Sequence, residues 1–131
     1  MRPILLFLSL VVAAGCTMTQ EQRTARELSL KSNADNFIQR VIQEDWAGAY
    51  AMTASKLAGP DDFKEYMMQT WVPEAVITGG SISSMAWVTD RITKTKINWK
   101  FQSGTVSSYS SETFLWEWTN DAWKWKGRVA R

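Results

Sequence analysis

The apolar positions of this chain follow three successive patterns. Ile4 to Ala14 is an apolar run that ends in Ala13-Ala14-Gly15-Cys16. From Asn33 onward the spacing is helical: Ala34, Phe37, Ile38, Val41 and Ile42 recur every three or four residues, with Asp35, Gln39, Arg40 and Gln43 opposite them. Asp45 is placed to cap a second, short helix from Trp46 to about Ser55. Gly59-Pro60 breaks the chain, Asp61 or Asp62 can cap a third helix from Phe63 to Trp71, and Pro73 with Gly79-Gly80 closes the helical half.

The period then falls to two. A first strand, Ile82 to Thr89, carries a weak pattern. In the next, Thr95, Ile97, Trp99 and Phe101 alternate with Lys94, Lys96, Asn98 and Lys100. Ser103-Gly104 turns the chain into a long strand, Thr105 to Trp118, expected to bend near Ser107–Ser111. Its second half sets Phe114, Trp116 and Trp118 against Thr113, Leu115 and Glu117. After the turn at Thr119-Asn120-Asp121, a last strand sets Trp123, Trp125 and Gly127 against Lys124, Lys126 and Arg128. Three helices followed by about four strands predict an α+β fold. N-terminal helices would pack on one face of a bent, roughly four-stranded antiparallel sheet.

The first pattern concerns address rather than fold. Arg2 ahead of an apolar run too short to span a hydrocarbon core of about 30 Å suits a signal peptide. Small residues before Cys16 resemble the lipobox of bacterial lipoproteins, with Ala13 where Leu is usual. That resemblance implies cleavage before Cys16, lipid on its thiol and attachment to a membrane. Cys16 is the only cysteine, so no intramolecular disulfide can form, and lipidation would remove a free thiol from an oxidising compartment. The division expected is a signal peptide over 1–15, a lipid-anchored tether and helix start over 16–32, and the folded domain over 33–131. Thr17, rather than Asp, follows the cysteine, which points to the periplasmic side of the outer membrane in a Gram-negative cell.

Charge and composition narrow the chemistry. The chain has 15 basic and 13 acidic residues and no histidine. This near-neutral balance gives no nucleic-acid footprint, and the commonest general base and zinc ligand are missing. No phosphate loop, Cys/His metal set or serine nucleophile motif is present, so neither metal nor cofactor is expected. Candidate acids are Asp35, Asp45, Asp90, Glu112 and Glu117. Asp35 has a simpler account as a solvated residue, Asp45 as a cap and Glu117 as a cross-strand partner of lysine.

Eight tryptophans are many for one small domain. Trp46, Tyr50, Met67, Trp71, Trp99, Phe101, Trp116 and Trp118 are the candidate walls of a pocket or partner groove, and the same residues would also serve a packed core. Lys94, Lys96 and Lys100, with Lys124, Lys126 and Arg128, would form a basic sheet surface if their strands were neighbours.

Two stretches resemble a known superfamily. Phe37-Ile38-x-x-Val41 followed by Glu44-Asp45-Trp46-Ala47-Gly48-Ala49-Tyr50 is similar to the opening of nuclear transport factor 2-like, or cystatin-like, proteins. Trp118-Thr119-Asn120-Asp121-Ala122-Trp123-Lys124-Trp125-Lys126-Gly127 is similar to their final hairpin. The resemblance spans roughly Asn33 to Val129 and implies a strongly bent sheet wrapped on the long helix to form a cone. It leaves function open between two classes. One is a non-enzymatic envelope lipoprotein binding a partner protein or a small apolar ligand. The other is a small isomerase or dehydratase using a buried carboxylate or Tyr.

Overall fold

A computed structural model describes residues 18–54, 56–71 and 74–129. The apolar leader and Cys16 lie outside the described residues. Among those described, no helix is long and apolar enough to cross a membrane. Three helices, α1 (Gln20–Ile42), α2 (Trp46–Tyr50) and α3 (Pro60–Met68), precede four strands. These are β1 (Val76–Trp87), β2 (Ile92–Ser103), β3 (Val106–Thr119) and β4 (Ala122–Arg128). The strands form one sheet in the order β1-β2-β3-β4, every pair antiparallel. The α+β reading is correct.

Helix α1 begins well before Asn33. Thr19 Oγ1 accepts the Gln22 N–H at 3.1 Å, and Gln22 Oε1 accepts the Thr19 N–H at 3.0 Å, so a capping box satisfies two amide donors. Within the polar stretch read as a tether and helix start, the helix runs from Gln20 onward. It docks on the sheet through tryptophans rather than through an apolar stripe. Arg23 stacks 5.2 Å from the Trp87 ring and Arg26 4.9 Å from Trp118. Trp87 Nε1 donates to Glu27, and Trp123 Nε1 donates to the Arg26 carbonyl. Only in its second half does α1 bury the expected ridge of Ala34, Phe37, Ile38 and Val41.

Gly79-Gly80 lies inside β1 instead of ending the helical half. At Gly80 a Cβ would stand 2.9 Å from both Ile38 Cγ2 and Trp99 Cε3, so the strand can cross the helix this closely only with glycine. Helices α2 and α3 end at Tyr50 and Met68, short of Ser55 and Trp71. After α2 the chain extends alongside β4, where the Trp125 N–H donates to the Met52 carbonyl and the Ala54 N–H to the Trp125 carbonyl.

The strand alternation is as expected in β2, where Thr93, Thr95, Ile97, Trp99 and Phe101 are buried and Lys94, Lys96 and Lys100 exposed. β3 passes through Ser107–Ser111 with no register shift against β2. Asn120 and Asp121 both take positive φ, the backbone a two-residue hairpin turn demands. Phe37 sits at the centre of the core, with ring centroids 5.4 Å from Trp116, 5.8 Å from Trp125 and 6.0 Å from Phe63.

Candidate functional site

The placement of one charged side chain differs from the sequence expectation and defines the site. Strict alternation would send Arg128 outward with Lys124 and Lys126. Instead, Leu115 pairs with Gly127 while Trp116 pairs with Trp125, leaving Lys126 as an extra residue in β4. Gly127 takes φ 126°, and this bulge turns Arg128 to the inner face. There its Nε and NH2 reach Glu112 Oε1 at 3.1 and 3.0 Å. NH1 and NH2 also donate to the carbonyls of Tyr66 and Met67, at 2.6 and 2.5 Å. The guanidinium thus fastens the end of β4 to the last turn of α3. The Tyr66 hydroxyl adds to this by accepting the Arg128 N–H at 3.0 Å.

Glu112 is buried on β3, on the same face as Phe114 and Trp116. Its Oε1 also accepts from Thr70 Oγ1 at 2.5 Å, and its Oε2 accepts from Trp99 Nε1 at 3.1 Å. A charge this deep needs such partners, because an unpaired buried carboxylate is strongly destabilising. Of the other candidate acids, Asp45 caps α2 through the Gly48 N–H and pairs with Arg40 at 2.8 Å. Glu117 pairs with Lys126 at 3.3 Å, and Asp35 is exposed.

β4 is half the length of β3, and its pairing ends at Phe114. Beside the uncovered part of β3 lies a cleft of about 750 Å³. Thr70, Glu112 and Arg128 line it together with Lys94, Lys96, Ser111 and Thr113. A smaller hollow of about 370 Å³, between Leu57, Tyr66, Trp125 and Gly127, is the more apolar of the two. Among the described residues no three acidic or thiol side chains gather as metal ligands.

The eight aromatic and methionine candidates separate into three places. Trp46, Trp71, Trp99 and Phe101 form a chain of ring contacts at one end of the sheet, from 5.6 to 6.3 Å. Tyr50 packs on Phe63 nearby and donates its hydroxyl to the Leu57 carbonyl. Met67 is buried in the core. Trp116 is buried at the centre, its Nε1 bonded to Thr95 Oγ1 at 2.8 Å. Trp118 lies at the other end, against Trp123 and under Arg26. The basic stripe is likewise divided. Lys94, Lys96 and Lys100 lie on β2, Lys124 and Lys126 on β4, and β3 runs between them. Arg128, turned inward by the bulge, is not part of it.

Sequence comparison finds no matching family model and no matching curated protein. Structural comparison does find similar folds. An NTF-2-like protein of unknown function from Shewanella oneidensis MR-1 aligns over 79% of this chain and 96% of its own, with a TM-score of 0.57 at 11% identity. A putative Ca/calmodulin-dependent kinase II association domain from Exiguobacterium sibiricum 255-15 aligns over 82% of this chain and 95% of its own, with a TM-score of 0.53 at 12% identity. The fold of this chain is therefore nuclear transport factor 2-like.

Proposed function

We propose that this chain is a lipid-anchored envelope protein whose domain binds a partner protein and carries out no reaction of its own. The anchor rests on the sequence around Cys16. The binding half is carried by one observation, the state of Glu112. It is the one buried acid among the described residues, and its oxygens are held by Arg128, Thr70 and Trp99. An isomerase or dehydratase would need a buried carboxylate or Tyr free to move a proton. Glu112 and Tyr66 both line places such an enzyme would use, yet both are engaged in holding Arg128.

A partner protein is favoured over a small apolar ligand by the packing of the core. Trp99, Trp116, Trp125, Phe37, Phe63 and Phe114 are all closed to solvent, and the indoles meet other rings edge-on or, for Trp125 on Phe37, stacked. Two measurements test the reading. Intact mass of the membrane-fraction protein should start at Cys16 and carry a diacylglyceryl and acyl increment, and Cys16→Ser should release the chain to the soluble fraction. An unmodified mass would refute the anchor. Titration with an environment-sensitive naphthalene sulfonate dye should give no saturable binding. One dye bound per chain would favour the apolar-ligand reading instead.

A further inference from the structure

We propose that the uncovered edge of β3, residues 106–112, takes an extended acidic peptide segment of a partner as an additional strand. This deepens the partner-binding reading and rests on it. Main-chain geometry is the first support. β4 covers β3 only from Phe114 to Thr119, and the Val129 N–H reaches the Thr113 carbonyl at 2.9 Å. Thr113 therefore aims its backbone groups away from β2. In a ladder without register shifts the direction alternates, so Ser111, Tyr109 and Ser107 aim theirs the same way. Among the described residues no strand meets them there. At about 3.4 Å per residue, the open edge is roughly 20 Å long, enough for a short strand.

The edge also lacks the usual protection. Natural edge strands are blunted by charges, prolines or bulges. Val106-Ser107-Ser108-Tyr109-Ser110-Ser111 has none of these, and Val106 and Tyr109 are 64% and 73% exposed. Strand addition to an exposed edge is an established mode of peptide recognition, with main-chain bonds giving affinity and side chains giving choice.

Charge selects the occupant. The cleft beside this edge is lined by Lys94, Lys96 and Arg128 against the single acid Glu112. Arg128 is neutralised by Glu112, whereas Lys96 and Lys100 have no acidic partner among the described residues. On β2, Lys100 stands opposite Tyr109 in the open segment and Lys96 opposite Thr113 at its border, so acidic side chains on the outer face of an added strand would complement these two unmatched cations. A second copy pairing edge to edge would bring two such lysine pairs to one seam, where like charges repel.

The test uses the purified full chain and three synthetic heptapeptides. One alternates glutamate with valine, one replaces the glutamates with lysine, and one is the acidic peptide N-methylated at alternate amides, which blocks strand pairing but keeps the charge. The acidic peptide should bind saturably with one site per chain, and the lysine peptide should not bind. Affinity should fall by about tenfold or more with the N-methylated peptide, with Lys96→Glu/Lys100→Glu and with Tyr109→Pro. Proline at Tyr109 removes an N–H facing the open side and leaves the β2 ladder intact. Circular dichroism and thermal melting confirm that each variant folds, and Ser107→Pro is the substitute if Tyr109→Pro does not. Equal binding of the N-methylated peptide would overturn the proposal in favour of charge attraction alone. No binding of the acidic peptide, or self-association abolished by Tyr109→Pro, would overturn it as well. None of these readouts depends on lipid or dye, so failure here is distinguishable from failure of the anchor or of the packed core.

Discussion

The two halves of β3 meet opposite fates within one strand. From Phe114 to Glu117 it is paired on both sides and buries Phe114 and Trp116 among other aromatic rings. From Val106 to Ser111 it is paired on one side only, carries mostly serine and is largely exposed. Glu112 and Arg128 mark the boundary, where β4 ends and its last strand residue is tied to α3. The difference divides a single element by burial and pairing. One half supplies the core, and the other leaves main-chain groups without a strand partner among the described residues.

The comparison can be broken from the buried side. Trp116→Ala removes an indole closed to solvent and should cost about 4 kcal/mol in urea unfolding, the largest effect expected. A loss near that of a surface substitution would mean the paired half is not the core. At the boundary, Arg128→Ala strands the Glu112 carboxylate without its guanidinium and should cost about 3 kcal/mol. Arg128→Ala/Glu112→Gln should recover part of that loss, because the stranded charge is gone. On the open side, Tyr109→Ser removes a ring that is 73% exposed and should shift stability by about 0.5 kcal/mol or less. A larger loss would show that the open half is already packed against something.

How much of this was legible in the sequence depended on which force governed each segment. Burial governs β2, so Thr95, Ile97, Trp99 and Phe101 could be separated from Lys94, Lys96 and Lys100 by period alone. The start of α1 is held by Arg23 and Arg26 on Trp87 and Trp118, contacts more than sixty residues apart in sequence that no local pattern encodes. Gly79-Gly80 gave a break signal, but its cause is the close approach of Ile38 and Trp99, which is tertiary. Arg128 was misplaced because one residue of bulge reverses alternation. Gly127 was the available clue, since a glycine near a strand end is where a bulge can form. Glu112 was visible as a candidate acid, but its partners Thr70, Trp99 and Arg128 come from three different elements.

The open edge itself is tested most directly by hydrogen exchange of individual backbone amides in the free chain, repeated with the acidic heptapeptide. The account predicts an alternating pattern in which Ser108, Ser110 and Glu112 are protected by β2 while Ser107, Tyr109 and Ser111 exchange fast and become protected when the peptide is added. Uniform protection of all six amides in the free chain, or no gain at Ser107, Tyr109 and Ser111 with peptide bound, would contradict it.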